Sequence, residues 1–508
     1  MSMIDLFEAA RLTSTPILAI RTADQATTIA AVRQGVTEFP LVQWDAARGM
    51  TALVGNKLGE EALRQASIAP DATIGFVDAM LAAQRLPNGA ILFAHNAHRQ
   101  LQSQEPIAIA AAVQAVANLR DQYKLNFRML VLLGPAFQSP PELEQDVIVI
   151  DHPLPGPADL ETIVTELHQA AKLAVPDATV MAKAVDAVSG LSAFAAEQVT
   201  AMSLTEQGLD LSALWERKRV AIEQTRGLSV WRGGDRFADL VGLDAIKTHL
   251  SRRLRARTPV GVVVWIDEID KTLANVEADT SGVRMDQLRT LLTEMENQEW
   301  RGLIAVGVAG GGKSAIAKAF GNEAGVPTVA LDLAATESKY VGESEGNLRQ
   351  LMAIVKAIGR GHAYLIATSN NASVMRPELQ RRFTDGLWFF DLMTGAERQA
   401  AWRYYVTKYT LTKDQVSPCP DDDGWTGAEI RNACRYAWDV GCTLVEAAQF
   451  IVPMARSRAD DIDRLRRYAH GRFLDATRPG PYQYTEAPMA RQVRAIALPK
   501  AVVEMGES

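Results

Sequence analysis

The stretch Leu303-Ile-Ala-Val-Gly307-Val-Ala-Gly-Gly-Gly-Lys313-Ser314-Ala315 decides how the second half of this chain folds. Leu303 to Val306 is an apolar run that predicts a buried strand, and Ala315 to Ala324 has helical composition. Between them lies the pattern G-x-x-x-x-G-K-S, which is specific when it joins a strand to a helix. Glycines let a backbone approach a phosphate closely, and the helix N-terminus adds a favourable dipole. We therefore assign Gly307, Val308, Ala309, Gly310, Gly311, Gly312, Lys313, Ser314 and Ala315 to the phosphates of a nucleotide. Lys313 is placed to bridge the outer phosphates, and Ser314 to ligate Mg²⁺. A plain glycine-rich turn would leave the lysine and serine at these offsets unexplained.

A second motif precedes the first. Val262-Val-Val-Trp-Ile-Asp267-Glu268 reads as a buried strand ending in an acidic pair. At the C-terminal end of a parallel strand such residues face the ligand crevice. Asp267 is expected to hold Mg²⁺ and Glu268 to polarise the attacking water as general base. Capping acids at a strand end would explain either motif alone, but not both together. Asp270 reads as structural.

The rest of the chain sets the frame. Its 508 residues are too many for one core, so two or three domains are expected. Apolar content of 48% and charged content of 22% are ordinary for a soluble protein. A net charge of -7 argues against a general nucleic-acid coat, leaving only a local basic patch open. Cys419, Cys434 and Cys442 form no CxxC pair, which fits a reducing cytosol and gives no zinc signature. No apolar run reaches membrane-spanning length, and the N-terminus lacks a basic n-region with a cleavage site, so a cytoplasmic location is expected.

Residues 1–204 alternate short apolar runs (16–20, 39–44, 90–94, 128–133 and 146–150) with helical stretches such as 24–34 and 106–123, then turn all-helical after Pro157. Alternation of this kind predicts a parallel sheet flanked by helices. Where a phosphate loop belongs, after Ile20, the chain reads Arg21-Thr-Ala-Asp-Gln-Ala26, with neither glycine nor lysine. The run ending at Ala94 continues into His95 and Asn96 rather than an acidic pair. We read 1–204 as a degenerate, nucleotide-free module. His95 and His98 alone do not make a metal site. Residues 205–236 are expected to be a linker, 237–393 the large subdomain of a P-loop ATPase, 394–484 a helical lid and 485–508 a tail. The fold class is α/β, two AAA-type modules, the second re-threaded.

From residue 237 to about 440 the motifs resemble the classical clade of AAA+ ATPases. Phe237-Ala-Asp-Leu-Val241-Gly242-Leu243 is similar to the family's entry segment, implying adenine contacts at Val241 and Gly242. Lys339-Tyr340-Val341-Gly-Glu-Ser-Glu345 is similar to its first pore loop, implying that Lys339, Tyr340 and Val341 face the channel of a ring. Ala367-Thr-Ser-Asn370 resembles the sensor strand, so that Asn370 positions the lytic water. Arg381 and Arg382 resemble arginine fingers that complete a neighbouring subunit's site. Thr426-Gly427-Ala428-Glu429 resembles the start of the lid helix, with Thr426 as N-cap and Gly427 and Ala428 beside the nucleotide. Over its full length the chain is most similar to the AAA-like proteins first noted as a hypothetical chloroplast reading frame, a resemblance extending through 452–458 and 462–466.

The departure from that family is order: the strand with Asp267 and Glu268 and its helix (285–297) stand ahead of the phosphate-loop block. A parallel sheet tolerates this, because each strand keeps its direction and only the crossovers change. Interleaved Arg and Asp at 456–472 read as a solvated helix rather than a nucleic-acid stripe. The resemblance implies ATP and Mg²⁺ as cofactors, a homo-oligomeric, hexameric ring, and remodelling of a protein partner. The alternatives are a nucleic-acid-linked ATPase and a nucleotide-dependent scaffold with little turnover.

Overall fold

The computed structural model describes residues 2–101, 106–135, 137–274, 283–336, 343–371 and 377–484. Two sheets organise the chain. The first contains β1 (Ile17–Arg21), β2 (Leu41–Asp45), β3 (Gly49–Ala52), β4 (Ile91–Ala94), β5 (Met129–Gly134) and β6 (Ile148–Asp151). Its spatial order is β3-β2-β4-β5-β1-β6. All pairs are parallel except β2 with β3. A two-stranded hairpin, β7 (Leu204–Thr205) and β8 (Gly208–Leu209), follows. The second sheet contains β9 (Leu228–Trp231), β10 (Val262–Ile266), β11 (Arg301–Gly307), β12 (Thr328–Leu331), β13 (Ala363–Ser369), β14 (Leu387–Phe390) and β15 (Leu474–Asp475). Its order is β15-β14-β11-β13-β10-β12-β9, antiparallel only at β9.

The two sheets share one spatial plan. Six positions correspond: β6 with β14, β1 with β11, β5 with β13, β4 with β10, β2 with β12, and the antiparallel edge β3 with β9. Chain order differs in the second sheet, where β10 comes ahead of β11 and β12, while its counterpart β4 follows β1 and β2. The crossovers change and the strand directions do not, as the sequence reading requires. The acidic-pair strand thus lies between β12 and β13, with β13 separating it from the phosphate-loop strand.

Side chains alternate across the second sheet as the period-two pleat demands. Val262, Val264 and Ile266 of β10 join one buried cluster with Ile304 and Val306 of β11. Val263 and Trp265 join the opposite one with Leu303 and Ala305. The first of these clusters has an unexpected reach. It includes Leu160, Val164, Met181, Val185, Val188 and Leu214 from the helices Pro157–Ala170, Ala178–Val188 and Leu211–Glu223. Gly190 sits directly against Ile358. The cores of the first sheet hold only residues 3–150. The boundary we read at 204 closes the all-helical stretch that begins after Pro157, whereas the hydrophobic cores divide the chain near residue 152. Residues 205–236, read as a linker, contain an amphipathic helix and the edge strand β9. The lid has its own core around Trp402, Trp425, Ile430 and Ala433.

Candidate nucleotide site

Β-strand ends and one loop build a cleft of about 370 Å³ at the C-terminal side of the second sheet. Of the residues assigned from sequence, Val241, Asp267, Glu268, Ala309, Gly310, Gly311, Gly312, Lys313, Ser314, Ala315, Asn370, Gly427 and Ala428 line it. Gly307 and Val308 lie just behind, and their carbonyls accept from Lys313 Nζ at 2.9 and 2.8 Å. Burial pushes the Lys313 ammonium down to about 8, against the pull of Asp270, Asp267 and Glu268.

The loop needs its glycines. A Cβ on Gly307 would stand 2.1 Å from the Phe390 carbonyl oxygen. Gly312 has φ +94 as it enters the helix Lys313–Ala324. Side chains at these positions would fill or strain the cradle.

The metal-ligating candidates converge. Ser314 Oγ donates to Asp267 Oδ1 at 3.2 Å, bringing a hydroxyl and a carboxylate together as hard oxygen ligands suited to Mg²⁺. Glu268 sits in the left-handed region at φ +48, uncommon for a residue with a side chain. Asn370 Nδ2 donates to Glu268 Oε1 at 3.1 Å, and Lys271 forms an ion pair with the same carboxylate. Asp270 Oδ1 accepts from the Asn370 backbone at 3.4 Å, a structural role.

Sequence reasoning missed Thr368. Its hydroxyl donates to Asp267 Oδ1 at 2.6 Å and accepts from the Glu268 N–H at 2.9 Å. One side chain at the end of β13 thereby fixes both acids of β10. Its signal was its place two residues before Asn370 on the adjoining strand. Tyr405, Asp391, Met393 and Arg431 also line the cleft. Arg431 follows Gly427 by one helical turn, a spacing readable in sequence. Thr426 caps the helix Gly427–Val440, with Glu429 closing the capping box. Asp391 accepts from Arg466 at 2.7 Å and from the Tyr482 hydroxyl at 2.6 Å, anchoring the last part of 394–484 beside the cleft.

Other candidates lie elsewhere. Gly242 is beside the cleft at φ +70 without lining it. Arg381 and Arg382 end the helix Pro377–Arg382 away from the cleft of their own chain, and Arg382 pairs with Glu296 at 2.5 Å. Lys339, Tyr340 and Val341 fall outside the described residues.

The corresponding place in the first sheet is built differently. His95 and Asn96 follow β4 as Asp267 and Glu268 follow β10, and Asn96 adopts φ +51. The two His95 ring nitrogens lie 2.8 Å from Gln25 Oε1 and 3.2 Å from Gln43 Oε1, and a neutral ring donates to one of these oxygens. Burial lowers its pKa and favours the neutral ring. Among the described residues no group of three or more His, Cys, Asp or Glu is arranged to hold a metal ion.

Comparison with known proteins follows this geometry. Residues 303–359, carrying β11, the phosphate loop and β12, match the AAA family of ATPases associated with various cellular activities. Residues 4–152 match the N-terminal domain of SpoVK-like AAA ATPases, a span that ends with the core of the first sheet. The match to the ATPase family does not include the acidic pair on β10. Among curated proteins, an uncharacterized AAA domain-containing protein ycf46 of Trieres chinensis is 23% identical over 61% of this chain and 66% of its own length. Its counterpart in Guillardia theta is 20% identical over 69% of this chain and 74% of its own. No helix among the described residues is long and apolar enough to cross a membrane.

Proposed function

We propose that this chain hydrolyses ATP with Mg²⁺ as a homo-oligomeric ring, hexameric in number, and uses the cycle to remodel or unfold a protein partner in the cytoplasm. The observation that carries the reading is the convergence of Lys313, Ser314, Asp267, Glu268 and Asn370 on one cleft from three separate segments. Magnesium, when bound, supplies charge neutralisation at the outer phosphates. Ser314 and Asp267 would hold it. The phosphate loop binds and orients the nucleotide through backbone N–H groups, and Lys313 moves from its own loop carbonyls to the outer phosphates. Leu240, Val241, Leu243 and Tyr405 enclose the apolar end of the cleft, suited to a base. Glu268, oriented by Asn370 and Thr368, takes the proton of the attacking water. Arg381 and Arg382 lie away from their own cleft, which leaves them for a neighbouring subunit's site. The first module, with His95 and Asn96 where the acids would be, serves as a nucleotide-free brace or recruiting domain.

The test is steady-state ATP hydrolysis across protein concentration for wild type and Glu268→Gln. Specific activity that rises with concentration and vanishes in the variant, with ATP still bound, is expected. Binding without turnover in both proteins would replace the motor with a nucleotide-dependent scaffold. Tyr340→Ala should keep hydrolysis and lose remodelling, and unchanged remodelling by that variant would overturn threading through a pore.

A further inference from the structure

A second cavity, of about 230 Å³, lies on the far side of the second sheet from the nucleotide cleft. Gly261, which leads into β10, and Pro327, which leads into β12, mark it as a feature of the strands' N-terminal ends. The helices Ala178–Val188 and Leu211–Glu223 close it from the other side.

Its charge is lopsided. Lys183, Lys218, Arg232 and Arg360 line it, with Asp186 as the single carboxylate. Asp186 is already engaged by Arg360. Lys218 is 1% exposed, and the acceptor the structure gives it is the Asp186 backbone carbonyl at 3.0 Å. An ammonium carries three donors, and burying one without a counter-charge is costly. The Trp215 ring lies 4.4 Å from Lys218 Nζ and 3.9 Å from the Arg232 guanidinium, which draws both cations to one aromatic group. Burial pushes Lys218 down to about 7, with Asp186 pulling up and Arg232 adding to the fall. Neither Arg232 nor Lys183 has an ion-pair partner among the described residues. The arrangement holds positive charge in place at a packing cost, and an anion in the cavity would offset that cost.

The geometry points to a second ligand site, in which this cavity binds a compact oxyanion, inorganic phosphate or the phosphate of a small ester, through Lys218 and Arg232 with Lys183 at the mouth. The space is smaller than the nucleotide cleft, which argues for a phosphate-sized ligand over a nucleotide. Guanidinium and ammonium groups are the usual partners of such oxygens. The ligand would bridge the helix bearing Lys218 to the chain just past β9, joining the 157–223 helices to the ATPase sheet. This reading is independent of the proposed hydrolysis.

The experiment is calorimetric titration of inorganic phosphate, and separately methyl phosphate, into the full chain carrying Lys313→Ala, which removes the lysine contact in the nucleotide cleft. Added Arg232→Gln alters an exposed side chain, and added Lys218→Met keeps the buried volume. Each should weaken binding by about tenfold or more, the loss expected for a charged hydrogen bond. Lys57→Gln in the first module, as a control, should leave it unchanged. Either order of affinity between the two anions supports the site and says which source fills it. No saturable heat in the Lys313→Ala chain, or the same affinity in the Arg232→Gln and Lys218→Met chains, overturns it. Arg232→Gln keeps the test valid should Lys218→Met fail to fold.

Discussion

Thr368→Val isolates one hydroxyl that the whole acidic pair depends on. Thr368 is 1% exposed, and valine matches its shape and branching, so packing is kept. Two bonds are lost. The first is the 2.6 Å donation to Asp267 Oδ1, a charge-assisted bond of about 1.5–3 kcal/mol. The second is the acceptor for the Glu268 N–H at 2.9 Å, which helps hold that residue at φ +48. Left-handed backbone at a non-glycine residue costs about 1–2 kcal/mol and persists only where the surroundings enforce it. Released from Thr368, Glu268 is expected to relax and its carboxylate to leave the position fixed by Asn370. If only the Asp267 bond is felt in the transition state, kcat falls about 10- to 100-fold, since each ~1.4 kcal/mol is a decade. The backbone of the phosphate loop is untouched, so ATP affinity should change far less than kcat. Steady-state hydrolysis at saturating ATP, with a nucleotide-binding titration and a thermal melt on the same protein, separates the two. Thr368→Ser restores the hydroxyl and should recover most of the rate. A valine variant within twofold of wild-type kcat would refute the claim that Thr368 orders the pair. So would a serine variant as slow as valine with an unchanged melt.

Two further predictions concern stability. Gly190→Ala places a Cβ 2.6 Å from Ile358 Cγ1 at φ +89, and should cost about 2–4 kcal/mol from overpacking plus strain. Gly233→Ala, at φ +80 with nothing within 4 Å, should cost only the strain, and equal denaturant midpoints for the two would contradict the packing of the 157–223 helices on the second sheet. Burial opposes ionisation of Asp385, but bonds from His249, Arg253 and Tyr364 outweigh it and hold its carboxyl far below the usual range. Its contribution is therefore complete above the unfolded-state pKa of about 4 and is lost as pH falls towards the folded value. Asp385→Asn should cost about 3–5 kcal/mol at pH 7, the range for breaking a buried pair, and flatten stability below pH 4. An unchanged acid limb in urea titrations would show that another group carries it.

Legibility in the sequence followed from how local each constraint is. The phosphate loop is written in sequence because its backbone conformation requires glycines, and its neighbours are fixed by a turn of chain. The strands β1, β2, β4, β5, β10 and β11 were visible as apolar runs because both faces of a parallel sheet are buried, and the edge strand β6 by its apolar composition alone. The edge strands β3, β9 and β15 were not, being short and half-exposed. Asp391 and Tyr405 reach the cleft through strand ends and lid packing, which no spacing announces, and Thr368 had only its place beside Asn370 to mark it. The helices of 157–223 show an apolar face, but such a face does not name its partner, so the stretch after Pro157 was joined to the sheet before it rather than to the one after it.

The order of β10 and β11 bears on how the chain comes together during synthesis. β10 emerges first, yet its two neighbours, β12 and β13, are made afterwards. β11 pairs with β13 and β14, both later still. No two consecutive strands from β9 to β12 are hydrogen-bonded partners, so the strands bearing the acidic pair and the phosphate loop leave the ribosome with every edge open. Long-range pairing of this kind folds slowly and exposes apolar strands to aggregation. Until β13 arrives to lie between them, β10 and β11 have nothing to hold them in place relative to each other. Re-threading that leaves the finished sheet unchanged thus shifts the burden from the native state to the nascent chain, in which β11 stays unpaired until β13 is made.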